Sequence, residues 1–131
     1  MRNSALALLL ARLMLAAIFI IAGLSKVFFF NATVGYIASK GLPLPQVLLV
    51  LTIAIEIVGG LMLALGLRAR LAALVLFLFL IPVTYYFHPF WDASPAAMRQ
   101  ELNQFLKNLA IMGGMLYVMA AGPGRLRLGQ E

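Results

Sequence analysis

Glu56 stands in AIEIVGGLMLALG (54–66), where every other residue is apolar or glycine. A carboxylate in such surroundings needs a nearby donor or cation, and with one it can pair, bind a polar headgroup or relay a proton. On a helix, residues three, four and seven apart share a face. Glu56, Gly59, Gly60 and Leu63 therefore lie together, and the acid points to a side where another helix can press close. Arg12, Ala16, Phe19, Gly23 and Lys26 make a second stripe, with a cation at each end. Gln104, Lys107, Asn108 and Ile111 make a third. Ammonium and amide groups of this kind can donate to a carbonyl such as that of a quinone. His88, in YYFHPFW, has the side chain that exchanges protons nearest neutrality, and it can equally cap a helix end. Tyr85 and Trp91 beside it fit an interfacial aromatic belt or the mouth of a binding site.

Other chemistries are excluded by composition. The chain has no cysteine, and so no disulfide, thiolate ligand or redox thiol pair of its own. Its single histidine cannot alone hold zinc or a bis-histidine haem, so no metal site is expected. A redox role would need a bound organic cofactor or a partner. The seven methionines read as adaptable packing.

These side chains sit in a greasy molecule. Of 131 residues, 64% are hydrophobic and 11% charged, against roughly a quarter charged in soluble domains. A chain so short and apolar cannot hide its surface in water. It reads as an integral membrane protein whose first partner is the lipid bilayer. The net charge of +6 does not indicate nucleic acid, because the arginines stand singly or in pairs at the ends of apolar segments, as topology signals do.

A bilayer core takes about 20 helical residues. Four segments qualify, near 5–28, 44–66, 69–88 and 102–121, with a loop containing NATVGYIASKGLPLP between the first two and a polar tail at 122–131. The first resembles a secretory signal, but Arg12 interrupts it and its apolar run is too long, which predicts a retained span. The expected fold is a single all-α domain, a four-transmembrane-helix bundle. EIVGGLMLALG and AIMGGMLYVMAAG echo each other and run in the same direction, which fits two duplicated helical hairpins. Their glycine pairs would allow close helix contact. Ser94–Pro95 would start a short surface helix, and Pro82 would kink the third span. Four spans put both termini on one side, with Arg2, Arg68, Arg70, Arg125 and Arg127, which the positive-inside rule makes cytoplasmic.

With each span centred on the membrane, Glu56 lies near the midplane and Lys107 roughly 7 Å toward the outside; Arg12 lies about as far inward, and Lys26 about 13 Å outward. Lys107 and Arg12 are then the partners within reach of Glu56, with Lys107 the first choice and Asn108 able to join. Lys26 would snorkel to the interface. A mid-membrane charge costs about 2.5–3.5 kcal/mol on insertion scales, and a buried pair is often no better than an apolar replacement. Three readings stay open: a structural network, a binding site for a polar or quinone-like headgroup, and proton or solute movement, the last needing an oligomer.

Taken in order, ARLMLAAIFIIAGLSKV, GLPLP, EIVGGLMLALGLRARLAAL, FHPFW and QFLKNLAIMGGMLYV resemble the DoxX family of small four-span bacterial membrane proteins. The resemblance implies a four-helix bundle in the cytoplasmic (inner) membrane. It implies polar family positions at Arg12, Lys26, Glu56, Lys107 and Asn108. It also implies a subunit of a quinone-linked membrane oxidoreductase or of a redox or stress-response complex. Without cysteine, a flavin-binding glycine fingerprint or a haem ligand pair, such a subunit would bind a quinone or anchor a catalytic partner rather than catalyse alone. Its partner would be a redox subunit or a second copy. The alternatives are a non-enzymatic anchor whose ion pairs fix helix register, and a small-solute or proton transporter.

Overall fold

The computed structural model describes residues 2–129 and is all-α throughout them. Five helices follow one another: α1 (Arg2–Phe28), α2 (Phe30–Ser39), α3 (Pro45–Leu65), α4 (Ala69–Phe87) and α5 (Pro95–Ala121). Among the described residues, three segments are long and apolar enough to cross a membrane, Ser4–Phe28, Pro45–Leu65 and Ala69–Asp92. α5 is as long as α1, but its first half carries Arg99, Gln100, Glu101, Asn103, Gln104, Lys107 and Asn108. Large apolar side chains cover the outside, among them Met14, Phe28 and Tyr117, each at least three-quarters exposed. An outer surface of that kind is suited to lipid rather than water.

Local chemistry sets the breaks. Phe29 leaves helical geometry at φ −111°, ψ 42°, yet Phe29 N–H still donates to Ser25 O and Thr33 N–H to Phe29 O. α1 and α2 thus form one bent helical path, where the sequence had suggested a loop. Pro45 occupies the first turn of α3, where its missing N–H is harmless. α3 ends on Gly66 at φ 74°, with Leu67 N–H donating to Met62 O, a Schellman-type stop. Ser94 caps α5 by accepting from Ala97 N–H, with Pro95 next. The helix that begins there is not the short surface helix expected; it continues unbroken to Ala121. Gln, Lys, Leu and Met in this stretch are good helix formers and nothing interrupts the backbone ladder.

The helices pack as a row. α1 lies on α3, α3 on α4 and α4 on α5, while α1 and α5 meet only lightly. The core joins Ala16 and Phe19 of α1, Leu63 of α3, Met115 and Val118 of α5, and one stripe of α4 comprising Ala69, Ala72, Ala73, Leu76 and Leu80. That stripe repeats at three and four residues and leaves little bulk at one end, so the helices converge there.

The two glycine pairs are not equivalent. A methyl group on Gly60 would lie 2.8 Å from Ile20 Cγ1, and one on Gly59 would lie 3.1 Å from Leu76. Gly60 and Gly59 thus admit α1 and α4, respectively, to the surface of α3. Gly114 faces Leu15 at 2.8 Å, whereas Gly113 meets nothing within 4 Å. Gly60→Ala is therefore expected to destabilise the protein by about 1–3 kcal/mol through overpacking. Gly113→Ala should stabilise by roughly 0.5–1 kcal/mol, as glycine removal from a helix does. Thermal unfolding of both variants in one detergent checks the pair, and equal shifts would contradict the packing.

The tail folds back over one end of the row. Leu128 N–H donates to Leu65 O at 2.8 Å, and a methyl group on Gly124 would lie 3.1 Å from Leu8. Arg12 is 1% exposed. Its Nη1 donates to Leu63 O at 3.1 Å and Ala64 O at 3.0 Å, and its Nη2 donates to Leu126 O. The acceptors on α3 are last-turn carbonyls, of which Leu63 O also accepts from Gly66 N–H at 3.3 Å. Gly66 keeps the space for this: a methyl group there would stand 2.6 Å from Arg12 Nη1.

Candidate functional site

Toward the other end of the row, α1, α2, α3, α4 and α5 enclose a cavity of about 230 Å³. α3 contributes Thr52 and Glu56, one helical turn apart. Gly23 lets α1 approach at this level: a methyl group there would lie 2.6 Å from Ile57 Cγ1 and 3.3 Å from Glu56 Cβ. Close approach brings Lys26, on the next turn of α1, onto the acid. Lys26 Nζ lies 2.8 Å from Glu56 Oε1.

The partner of Glu56 is therefore Lys26, not Lys107 or Arg12, and Lys26 does not snorkel away. Glu56 is 4% exposed. The pair is a charge contact rather than an aligned hydrogen bond, and Oε1 has no other donor among the described residues. Oε1 itself is covered by protein, while the Glu56 side chain borders the cavity, where a carboxylate can accept from a donor.

Lys107 also lines the cavity, from α5. Its Nζ donates to Gln104 Oε1 at 2.6 Å, and it has no carboxylate partner among the described residues. Lys107 is thus a second cation on the cavity wall, beside the Lys26–Glu56 pair, and the Glu101 carboxylate next to His88 offsets it in formal charge. Asn108 is buried and its Nδ2 donates to Thr84 Oγ1 at 3.0 Å, which ties α5 to α4. His88 borders the cavity at the end of α4, with Nδ1 3.1 Å from Glu101 Oε2. α2 closes the remaining side with Thr33 and Tyr36. Partial burial, then the Glu101 carboxylate, hold the Tyr36 phenol above its ordinary range, so it remains a neutral hydrogen-bonding group.

The DoxX family profile matches residues 7–89. The chain belongs to the DoxX family. Two relatives from Escherichia coli strain K12 extend the similarity over α5. The inner membrane protein YphA is 31% identical over 121 residues, 92% of this chain and 86% of the relative. The inner membrane protein YqjF is 34% identical over 116 residues, 88% of this chain and 84% of the relative. No solved structure matches the chain. The DoxX profile match takes in Lys26, Glu56 and His88, while Lys107 and Asn108 fall beyond it.

In this DoxX chain the structure gathers Lys26, Glu56, Lys107, Asn108 and His88 around one space. It places Arg12 elsewhere, in the carbonyl network at the opposite end. Tyr85 and Trp91 do not line the cavity. Tyr85 packs on Tyr86 and Trp91, and Trp91 on Phe90 and Phe105, in an aromatic cluster over α4 and α5. Sequence reasoning passed over Thr52, Thr33 and Tyr36. Thr52 carried a usable signal, since it lies four residues before Glu56 and so on the same helical face. Tyr36 and Thr33 carried none while their segment was read as a loop.

Proposed function

We propose that this DoxX protein is a four-span inner-membrane subunit, with α5 as the fourth crossing, that holds the headgroup of a quinone- or lipid-like amphiphile in the cavity beside Glu56. The observation that carries this reading is the placing of two charged side chains on the wall of one cavity: Glu56, paired with Lys26, and Lys107, which has no carboxylate partner among the described residues. A headgroup with one acceptor and one donor would bond to both. A quinone presents carbonyls to Lys107, and its reduced form presents hydroxyls to Glu56, so the residues fit the group. When bound, a quinone would supply two-electron, two-proton redox chemistry to a partner. The chain's own residues would orient it, keep bulk water out and offer proton-bearing groups at Glu56 and His88. The relatives' inner-membrane location and the arginines gathered at the tail end of the row support termini on the cytoplasmic side.

The test is extraction. Protein purified in mild detergent or nanodiscs from quinone-containing membranes is expected to carry about one amphiphile per chain. Glu56→Gln and Lys107→Met should each reduce retention about 10- to 100-fold, the effect of losing a hydrogen bond to a charged group. Organic extracts that show only bulk membrane lipid at bulk ratios would end this reading. The opposing one, a non-enzymatic anchor, draws its support from the Lys26–Glu56 contact as a register lock between α1 and α3.

A further inference from the structure

The cavity is small for the ligand it would hold. Pockets for compact organic ligands run about 300–1,000 Å³, and this one offers about 230 Å³. It has room for a headgroup and not for a chain. A second space lies against it. Between α1 and α5, the two helices that scarcely touch, runs an apolar groove of about 770 Å³. Leu15 and Gly114 make its floor where the helices meet, and Ala11 and Ala110 keep its walls low. Ile18, Lys107 and Ile111 line both spaces.

We infer that the cavity opens sideways into the membrane between α1 and α5, past Ile18, Lys107 and Ile111, and that the groove holds the apolar chain of the bound amphiphile. The amphiphile itself rests on the function proposed above, while the opening rests on geometry alone. Three features support the assignment. The two spaces share the same side chains at their boundary. Between Lys107 at one end and Arg12 toward the other, the groove is lined by apolar side chains and glycine, as an alkyl or prenyl chain requires. Lys107, a cation without a carboxylate partner among the described residues, stands at the boundary where a headgroup oxygen passes from one space to the other, its ammonium held aside by Gln104. Isoleucine side chains and a lysine on a flexible stem can move without disturbing the backbone, so passage needs no separation of packed helices.

The absence of cysteine permits a direct test that needs no native ligand. Thr52→Cys puts a single thiol on the cavity wall. In reconstituted vesicles it is expected to react with a membrane-partitioned maleimide and to resist a charged, membrane-impermeant methanethiosulfonate. Ala110→Trp, which fills the groove, should slow the maleimide reaction about tenfold or more, the effect of roughly 1.4 kcal/mol on a barrier. Met14→Trp serves as a second block from the opposite wall. Equal maleimide rates with and without both blocks would overturn the opening, as would faster reaction from water. Slow labelling of the unblocked protein, with Ala110→Cys cross-linking one copy to another, would overturn it in favour of a second copy covering the groove. Extracts without amphiphile alongside groove-dependent labelling would remove the proposed ligand and leave the opening standing.

Discussion

Lys26→Met is expected to destabilise the protein by about 3 kcal/mol, the scale of an uncompensated charge at membrane depth. The substitution keeps the length of the side chain and removes only the ammonium 2.8 Å from Glu56. Glu56→Gln in the same background should recover most of the loss, because the remaining amide carries no charge. The full double-mutant cycle separates coupling from local effects. A third variant, Lys26→Met with Glu56→Met, decides why the pair exists. Buried pairs replaced by apolar groups are often as stable as the original. Near-normal stability with amphiphile retention lost would make the pair functional. Normal retention in a destabilised protein would make it a strut. Additive single effects in reversible detergent unfolding would mean that the two groups do not interact at all.

Arg12→Met should be comparably severe, at roughly 3–5 kcal/mol, since charged hydrogen bonds contribute about 1.5–3 kcal/mol each and are not fully additive. Three carbonyl acceptors from α3 and the tail lose their donor. Lysine should restore little, because a single ammonium cannot reproduce the forked geometry that reaches all three. Hydrogen exchange gives the local readout. The Leu128 amide, bonded to Leu65 O, is expected to lose protection in Arg12→Met while amides in the middle of α4 keep theirs. Unchanged exchange in the tail together with an unchanged melting temperature would contradict the network. Headgroup contacts should survive this substitution in the protein that remains folded, because Arg12 lies outside the cavity lining and borders only the groove.

The face of Glu56 was legible in the sequence, because helical spacing alone puts Gly59, Gly60 and Leu63 beside it, and all four are buried. Its partner was not legible. Centring two expected spans on one plane sets about residue 16 of α1 opposite Glu56. The contacts of Gly60 with Ile20 and of Gly23 with Ile57 set about residue 24 there. The difference, roughly eight residues or about 12 Å along the helix, is the distance by which Lys26 was misplaced. Apolar length fixes that a helix crosses, but glycine notches and the Arg12 carbonyl network fix how far it slides against its neighbour. α2 was hidden because Gly35, Thr33 and Val34 weaken helix propensity, and only packing against α3 decides the matter. The row arrangement, with its open seam between α1 and α5, is a property of pairing and leaves no mark on any one helix.

The wiring of Arg12 also imposes an order on biogenesis. Its acceptors at Leu63 and Ala64 come 51 and 52 residues later in the chain, and the one at Leu126 comes 114 residues later. At translation speeds of about 5–20 residues per second, the last of these emerges roughly 6–23 s after the arginine itself. Until then the guanidinium must rely on water, lipid headgroups or the insertion machinery. Closure of the Arg12 network thus waits on the segment that carries Leu126. A nascent chain stopped at residue 121 presents an arginine whose Nη2 still lacks its carbonyl at Leu126, so the early crossing and the late tail settle together rather than in turn.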